Sequence, residues 1–251
     1  MTKDTQSYDL AIIGAGSGGM AAARRARDHG LSVVLFEGER VGGTCVNAGC
    51  VPKKLLVHAS GMRDALDDAP HAGWSAPDAS FDWPTLRDAV QAEVARLADL
   101  HRGRLIEKGV TLVKASGAIE TAGIVRASDG RRFAATDILI ATGAAPVVPD
   151  LPGADRALLS DDIFEMETLP ESLGIVGGGY IAAEFACLLR RFGVEVTIFQ
   201  SGDRQLEGFD VEIADRLADA MTEQGIEVRT GARVESLSPT AAAWSRTSLA
   251  T

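Results

Sequence analysis

The chain has 251 residues, 46% of them hydrophobic and 24% charged, with 27 glycines and a formal net charge of −10. That balance suits a soluble globular chain of one large or two ordinary domains; it excludes disordered and fibrous classes, and without a run of about 18 apolar residues no membrane contact is expected. The acidic excess, with no basic stripe to offset it, repels a phosphate backbone, so nucleic acid is not an expected partner.

Tyr8 to Ile13 reads as a short apolar strand running into Gly14. Met20 to His29 reads as an Ala/Arg helix stopped by Gly30, and Ser32 to Phe36 as a second strand. Strand, glycine turn, helix and strand make a βαβ unit, whose right-handed crossover packs into a parallel sheet. Val51 to Leu66 and Thr85 to Lys108 have helical spacing, separated by a loop from Ala69 to Pro84. Val110 to Phe133, with its Gly and Asp-Gly turns, reads as an antiparallel excursion before a strand at Asp137 to Ile140. Pro146, Pro149 and Pro152 mark a linker near residue 150. The pattern then returns: strand Leu173 to Val176, a glycine turn, a helix stopped by Gly193, and strand Val194 to Phe199. Ile226 to Arg229 reads as a further strand, and from Ser238 the sequence has neither period nor closing turn. The expected fold is therefore α/β, with two Rossmann-like dinucleotide-binding domains, residues 1–150 and an incomplete 151–251.

The first turn carries Gly14, Gly16, Gly18 and Gly19, with Glu37 closing the second strand 23 positions after Gly14. Gly14 makes the tight turn, Gly16 admits a pyrophosphate, Gly19 permits close helix packing, and the helix N-terminus attracts phosphate. Glu37 would accept hydrogen bonds from a ribose; the alternative is a structural turn without a ligand. The second turn repeats this with Gly177, Gly178, Gly179 and Ala182, but Gln200 stands where the acid would be. A neutral residue there removes the repulsion against a 2′-phosphate, which Arg204 would then bind; the alternative for Arg204 is a solvated loop charge. Two such sites suggest a relay, one holding a flavin and the other taking a nicotinamide transiently.

Cys45 and Cys50 lie in a glycine-rich run from Gly42 to Lys54 directly after the first βαβ unit. Four intervening residues allow a short loop or distorted helical turn to close a disulfide, and the glycines let the segment lie against a flat cofactor. No further ligands of suitable type and spacing for zinc are found around the pair, so no metal is expected. Lys53 and Lys54 are expected to favour a thiolate, the alternative being two buried cysteines that pack as small apolar groups. Cys187, near Ala183 and Leu188 on a helix face, reads as core. The polar N-terminus lacks the pattern of a secretory signal and three cysteines make no disulfide framework, so a cytoplasmic location is expected.

The run Gly42-Gly43-Thr44-Cys45 through Cys50-Val51-Pro52-Lys53-Lys54 resembles the active-site signature of the pyridine nucleotide-disulfide oxidoreductases, and its Pro-Lys-Lys ending resembles the glutathione reductase type. The likeness continues through Phe81 to Pro84, Ala141-Thr142-Gly143 and Gly177 to Glu184, up to residue 237. The resemblance implies FAD as a resident cofactor and NADPH as the reductant, with NADH the alternative, and glutathione disulfide as the substrate. It makes Cys45 the interchange thiol and Cys50 the thiol against the flavin. It pairs Lys53 with Glu184 beside the flavin and makes Tyr180 the ring that covers it. Gly14, Gly16, Ser17, Gly18, Glu37, Gly43, Thr44, Lys54, Thr142 and Gly143 become the FAD set, and Gly177, Gly179, Tyr180, Ile181, Gln200 and Arg204 the nicotinamide set. Ser17, Arg24 and His101 become the substrate set; His101 stands where the family carries a Tyr, the alternative being an exposed helix histidine. Ser201 and Glu207 occupy positions where the family carries two arginines. The resemblance also implies a homodimer built by a C-terminal domain that supplies an acid/base His, and this chain is expected to lack that domain. The competing readings are a catalytically incompetent FAD-binding fragment, or a mercuric, trypanothione-like or dihydrolipoyl reductase.

Overall fold

The computed structural model describes residues 6–75 and 79–238, so the aperiodic tail beyond Ser238 lies outside the described residues. The architecture is mixed α/β, and the chain divides into two compact units: Met1–Lys53 with Val90–Pro146, and Lys54–Ala89 with Val147–Thr251.

In the first unit β1 (Gln6–Ile13) leads through the glycine turn to α1 (Ser17–Asp28) and β2 (Val33–Glu37). The cysteine run follows as a five-residue helix, α2 (Gly43–Asn47), and the start of α3 (Cys50–Asp68). α4 (Trp83–Glu107) returns the chain to β3 (Thr111–Lys114), and β4 (Gly117–Thr121), β5 (Ile124–Ala127) and β6 (Arg132–Ile140) complete a sheet of order β3-β2-β1-β6-β5-β4. β1 pairs in parallel with both β2 and β6, and β2 in parallel with β3. The expected excursion is therefore antiparallel only from β4 onward: β3 arrives through a helical crossover, which delivers parallel strands.

Buried residues line both faces of this sheet. Ala11, Val34, Phe36, Val113 and Phe133 pack on one side, and Ile12, Leu35, Met20, Ala23 and Leu105 on the side covered by helices. A strand covered on both faces reads as a continuous apolar run, as Val33 to Phe36 does.

The second unit contains a three-stranded parallel sheet of order β7-β8-β9, formed by β7 (Ser172–Val176), β8 (Glu195–Phe199) and β9 (Glu227–Arg229). α5 (Tyr180–Arg191) and α6 (Val211–Glu223) make the crossovers. The sequence reading places residues 54–89 with the first domain; their packing is with this unit. The Trp83 indole N–H donates to Met166 O at 2.8 Å, Phe81 stacks on Phe192 with ring centroids 4.6 Å apart, and Arg191 pairs with Asp64 at 3.0 Å. Among the described residues no helix is long and apolar enough to cross a membrane.

Candidate functional site

The first glycine turn is fixed by its neighbours. Gly14 adopts φ +103°, donates its N–H to Phe36 O at 2.9 Å, and passes so close to the next strand that a Cβ would lie 2.3 Å from Ala141 O. A side chain is therefore excluded by conformation and by space. Gly16 caps α1 with extended backbone and no side-chain hydrogen bond, leaving the first-turn amides of α1 for a ligand. Glu37 Oε2 accepts from Ala15 N–H at 2.9 Å and Oε1 from Glu39 N–H at 3.0 Å. A carboxylate offers about four acceptor sites, so Glu37 retains capacity for ribose hydroxyls while it holds the turn. Beside it, a groove of about 650 Å³ is lined by Arg40, Val41, Ala98, Ile106 and Lys114, a size ordinary for small-molecule sites.

The cysteine run is pinned onto this turn. Gly42 N–H donates to Ala15 O at 2.9 Å, and Gly43, at φ +59°, lies so close that a Cβ on it would be 2.6 Å from Gly16 Cα. The Asn47 amide nitrogen donates to Gly43 O at 3.0 Å and to Arg40 O at 3.3 Å, tying the short helix to its own entry. Sequence reasoning missed Asn47, although its place inside the motif was a signal. Thr44 and Cys50 are exposed and Cys45 half-buried, both cysteines as free thiols.

The Cys45 thiol is held above its ordinary range, first by its side-chain hydrogen bond with Cys50, then by burial and by the like charge Cys50 would carry. A hydrogen bond with the Ser17 hydroxyl works the other way. At Cys45 the neighbouring thiol and burial act against the thiolate that Lys53 and Lys54 are expected to favour. Ser17, placed by sequence among both cofactor and substrate residues, sits against the Cys45 thiol.

Arg24 on α1 and His101 on α4 are brought into electrostatic reach of each other. Burial lowers the His101 imidazole's pKa, and the Arg24 and Arg104 guanidiniums lower it further. His101 is half-buried, not an exposed helix residue, and its Nδ1 has no hydrogen-bond partner among the described residues. Thr142 and Gly143 follow β6 on exposed backbone, Gly143 at φ +72°.

The second unit repeats the first turn bond for bond. Gly177 has φ +108° and donates its N–H to Phe199 O at 2.9 Å, and Gly179 caps α5 with no side-chain hydrogen bond. Gly178 N–H donates to Gln200 Oε1 at 2.9 Å, as Ala15 N–H does to Glu37. Tyr180 and Ile181 are exposed at the start of the helix, and Glu184 lies one turn on, half-buried. Arg204, the candidate phosphate ligand, pairs with Asp215 at 2.9 Å, both side chains being exposed. Cys187 is half-buried and its thiol is pushed up by burial, as its core reading expects.

Residues 8–248 match the profile of the family described as pyridine nucleotide-disulphide oxidoreductase, past residue 237 where the motif likeness ends. The chain is 41% identical over 224 residues to a glutathione reductase of Nostoc sp., covering 89% of this chain and 49% of that protein. It is 44% identical over 229 residues to a glutathione reductase of Burkholderia cepacia, covering 90% and 50%. A glutathione reductase of Yarrowia lipolytica is 38% identical over 243 residues, covering 92% and 52%. The chain thus spans about half the length of the curated relatives it matches. With the family profile covering nearly all of it, the chain belongs to the pyridine nucleotide-disulphide oxidoreductase family.

Proposed function

We propose that this chain carries the flavin and dithiol chemistry of a disulfide reductase, in which electrons pass from a nicotinamide nucleotide through FAD to Cys45 and Cys50 and then to glutathione disulfide. The observation that carries the reading is the contact between the Cys45 and Cys50 thiols on a loop pinned against the first glycine turn. The uncapped amide end of α1, with Gly14, Gly16, Gly18 and Glu37, suits the pyrophosphate and ribose of FAD. Gly43, Thr44, Lys54, Thr142 and Gly143 complete the proposed set. When bound, the flavin supplies two-electron transfer between a hydride donor and a disulfide. We assign the second unit as a second Rossmann-like domain for the nicotinamide nucleotide, with Gly177, Gly179, Ile181 and Gln200 at its turn and Tyr180 and Glu184 on the helix that follows; Lys53, at the end of the cysteine run in the first unit, is assigned to the dithiol chemistry. NADPH is the nucleotide that the resemblance implies.

The thiols then act by exchange. The Cys45 thiolate attacks one sulfur of the substrate disulfide, that bond breaks, and one glutathione leaves as a thiolate that takes up a proton. The Cys50 thiolate next attacks Cys45 sulfur, releases the second glutathione and restores the Cys45–Cys50 disulfide, so two electrons have left the pair. Ser17 orients the Cys45 sulfur, and Arg24 with His101 offers cationic and donor groups to a substrate carboxylate. The test is turnover of reduced nicotinamide nucleotide with oxidised glutathione by the FAD-loaded chain and by Cys45→Ser. Loss of turnover in the variant is expected. Equal rates in both would sink the dithiol mechanism, and FAD uptake with no turnover by the native chain would leave a binding function alone.

A further inference from the structure

The two glycine turns match closely, and the loop that follows each returns a backbone N–H to its turn. In the first unit Gly42 N–H donates to Ala15 O at 2.9 Å; in the second Leu206 N–H donates to Gly178 O at 2.8 Å. The residue after Gly42 is Gly43, which lies directly against Gly16 of the turn. The residue after Leu206 is Glu207, whose Oε1 accepts from Gln200 Nε2 at 3.2 Å while Gln200 Oε1 accepts from Gly178 N–H. The neutral residue at the end of β8 thus brings a carboxylate with it.

Resting on the reading that the second unit takes the nicotinamide nucleotide, we propose that Glu207 makes this chain select NADH, the dinucleotide without a 2′-phosphate, over NADPH. In dinucleotide sites of this design an acid near the end of the second strand accepts from the ribose 2′-hydroxyl, whereas an arginine accommodates a 2′-phosphate. A phosphate carries a charge of about −1.5 to −2 and is repelled by a carboxylate held nearby. The loop holds Glu207 in place: Gln205 and Leu206 are 2% and 7% exposed, and Leu206 adopts φ +54° to make its bond to the turn. Two neighbouring arginines are paired with other carboxylates. Arg204 pairs with Asp215 at 2.9 Å, and Arg229 pairs with Glu227 at 2.8 Å with its guanidinium over the Phe199 ring.

Calorimetric titration of the full chain with NAD⁺ and with NADP⁺, neither of which donates hydride, tests this. The native chain is expected to bind NAD⁺ tighter by about tenfold or more, the ratio expected from one like-charge repulsion at a few ångströms. Glu207→Arg is expected to reverse the order and Glu207→Gln to narrow the gap, each with an unchanged melting temperature. Equal or tighter binding of NADP⁺ by the native chain would overturn the proposal and leave the nicotinamide assignment standing, with Arg233, next to the Ala232 N–H that bonds Gln200 O, as the cation to remove next. A native preference for NAD⁺ that neither substitution moves would also overturn it. No binding of either nucleotide would instead sink the nicotinamide assignment of the second unit, and this inference with it.

Discussion

In the first unit the strand before the glycine turn is paired on both sides, by β2 and β6, and a Cβ on Gly14 would meet the backbone of Ala141. In the second, β7 pairs only with β8 among the described residues, and a Cβ on Gly177 would meet nothing within 4 Å. Yet both glycines adopt nearly the same positive φ, and both donate to a carbonyl at the end of the neighbouring strand, Phe36 O and Phe199 O. The turn's conformation is therefore set by its local bonds, and its steric demand by what is packed on it. The third small position makes the same point: a Cβ on Gly19 would lie 1.9 Å from Gly14 O, while Ala182, at the equivalent place, carries its methyl group.

The reciprocal exchange at that position gives the largest expected effect. Gly19→Ala forces backbone apart and is expected to cost more than about 3 kcal/mol of unfolding free energy and to abolish FAD uptake. Ala182→Gly is expected to cost only about 1 kcal/mol, the helix propensity difference. Urea unfolding of both variants measures this, and equal small losses would break the comparison. The acid positions come next. Gln200→Leu strips the buried Gly178 N–H of its partner and is expected to cost about 1–3 kcal/mol. Glu37→Gln keeps an acceptor for Ala15 but loses the charge, so FAD affinity is expected to fall by about 1 kcal/mol, with little change in melting temperature.

The smallest effect concerns the thiols. Because the folded pKa of Cys45 is raised, its thiolate forms at higher pH than that of an ordinary thiol in the reduced, cofactor-free chain. Alkylation by iodoacetamide should therefore rise late with pH. It should shift to lower pH in Cys50→Ala, which removes the largest cause, and to higher pH in Ser17→Ala. Cys187, raised chiefly by burial, should keep its own profile in both variants. Identical shifts at Cys45 and Cys187, read by mass spectrometry, would show that the cause is not local to the pair.

Both βαβ units were legible from strand, glycine and helix spacing, because those glycines answer to local backbone demands. α6 was not legible: Val211 and Ile213 are exposed while Ala214 and Met221 are buried, so the large apolar side chains do not trace the packed face. Its Asp210 cap, which accepts from Ile213 N–H at 3.2 Å, was the overlooked signal. The direction of β3 was hidden because turn residues mark where a chain reverses, not which strand it joins. At the site, the cysteine motif named its residues but not their couplings. The Ser17 contact to Cys45, the Asn47 tie to Gly43 and the Arg204 pair with Asp215 depend on side chains far apart or unremarkable in sequence.

The most direct measurement is the visible spectrum of the FAD-loaded chain during anaerobic titration with a reduced nicotinamide nucleotide. A long-wavelength band from the Cys50 thiolate against the flavin is expected in the native chain and lost in Cys50→Ser. Failure to retain flavin, or the same spectrum in both proteins, would contradict it.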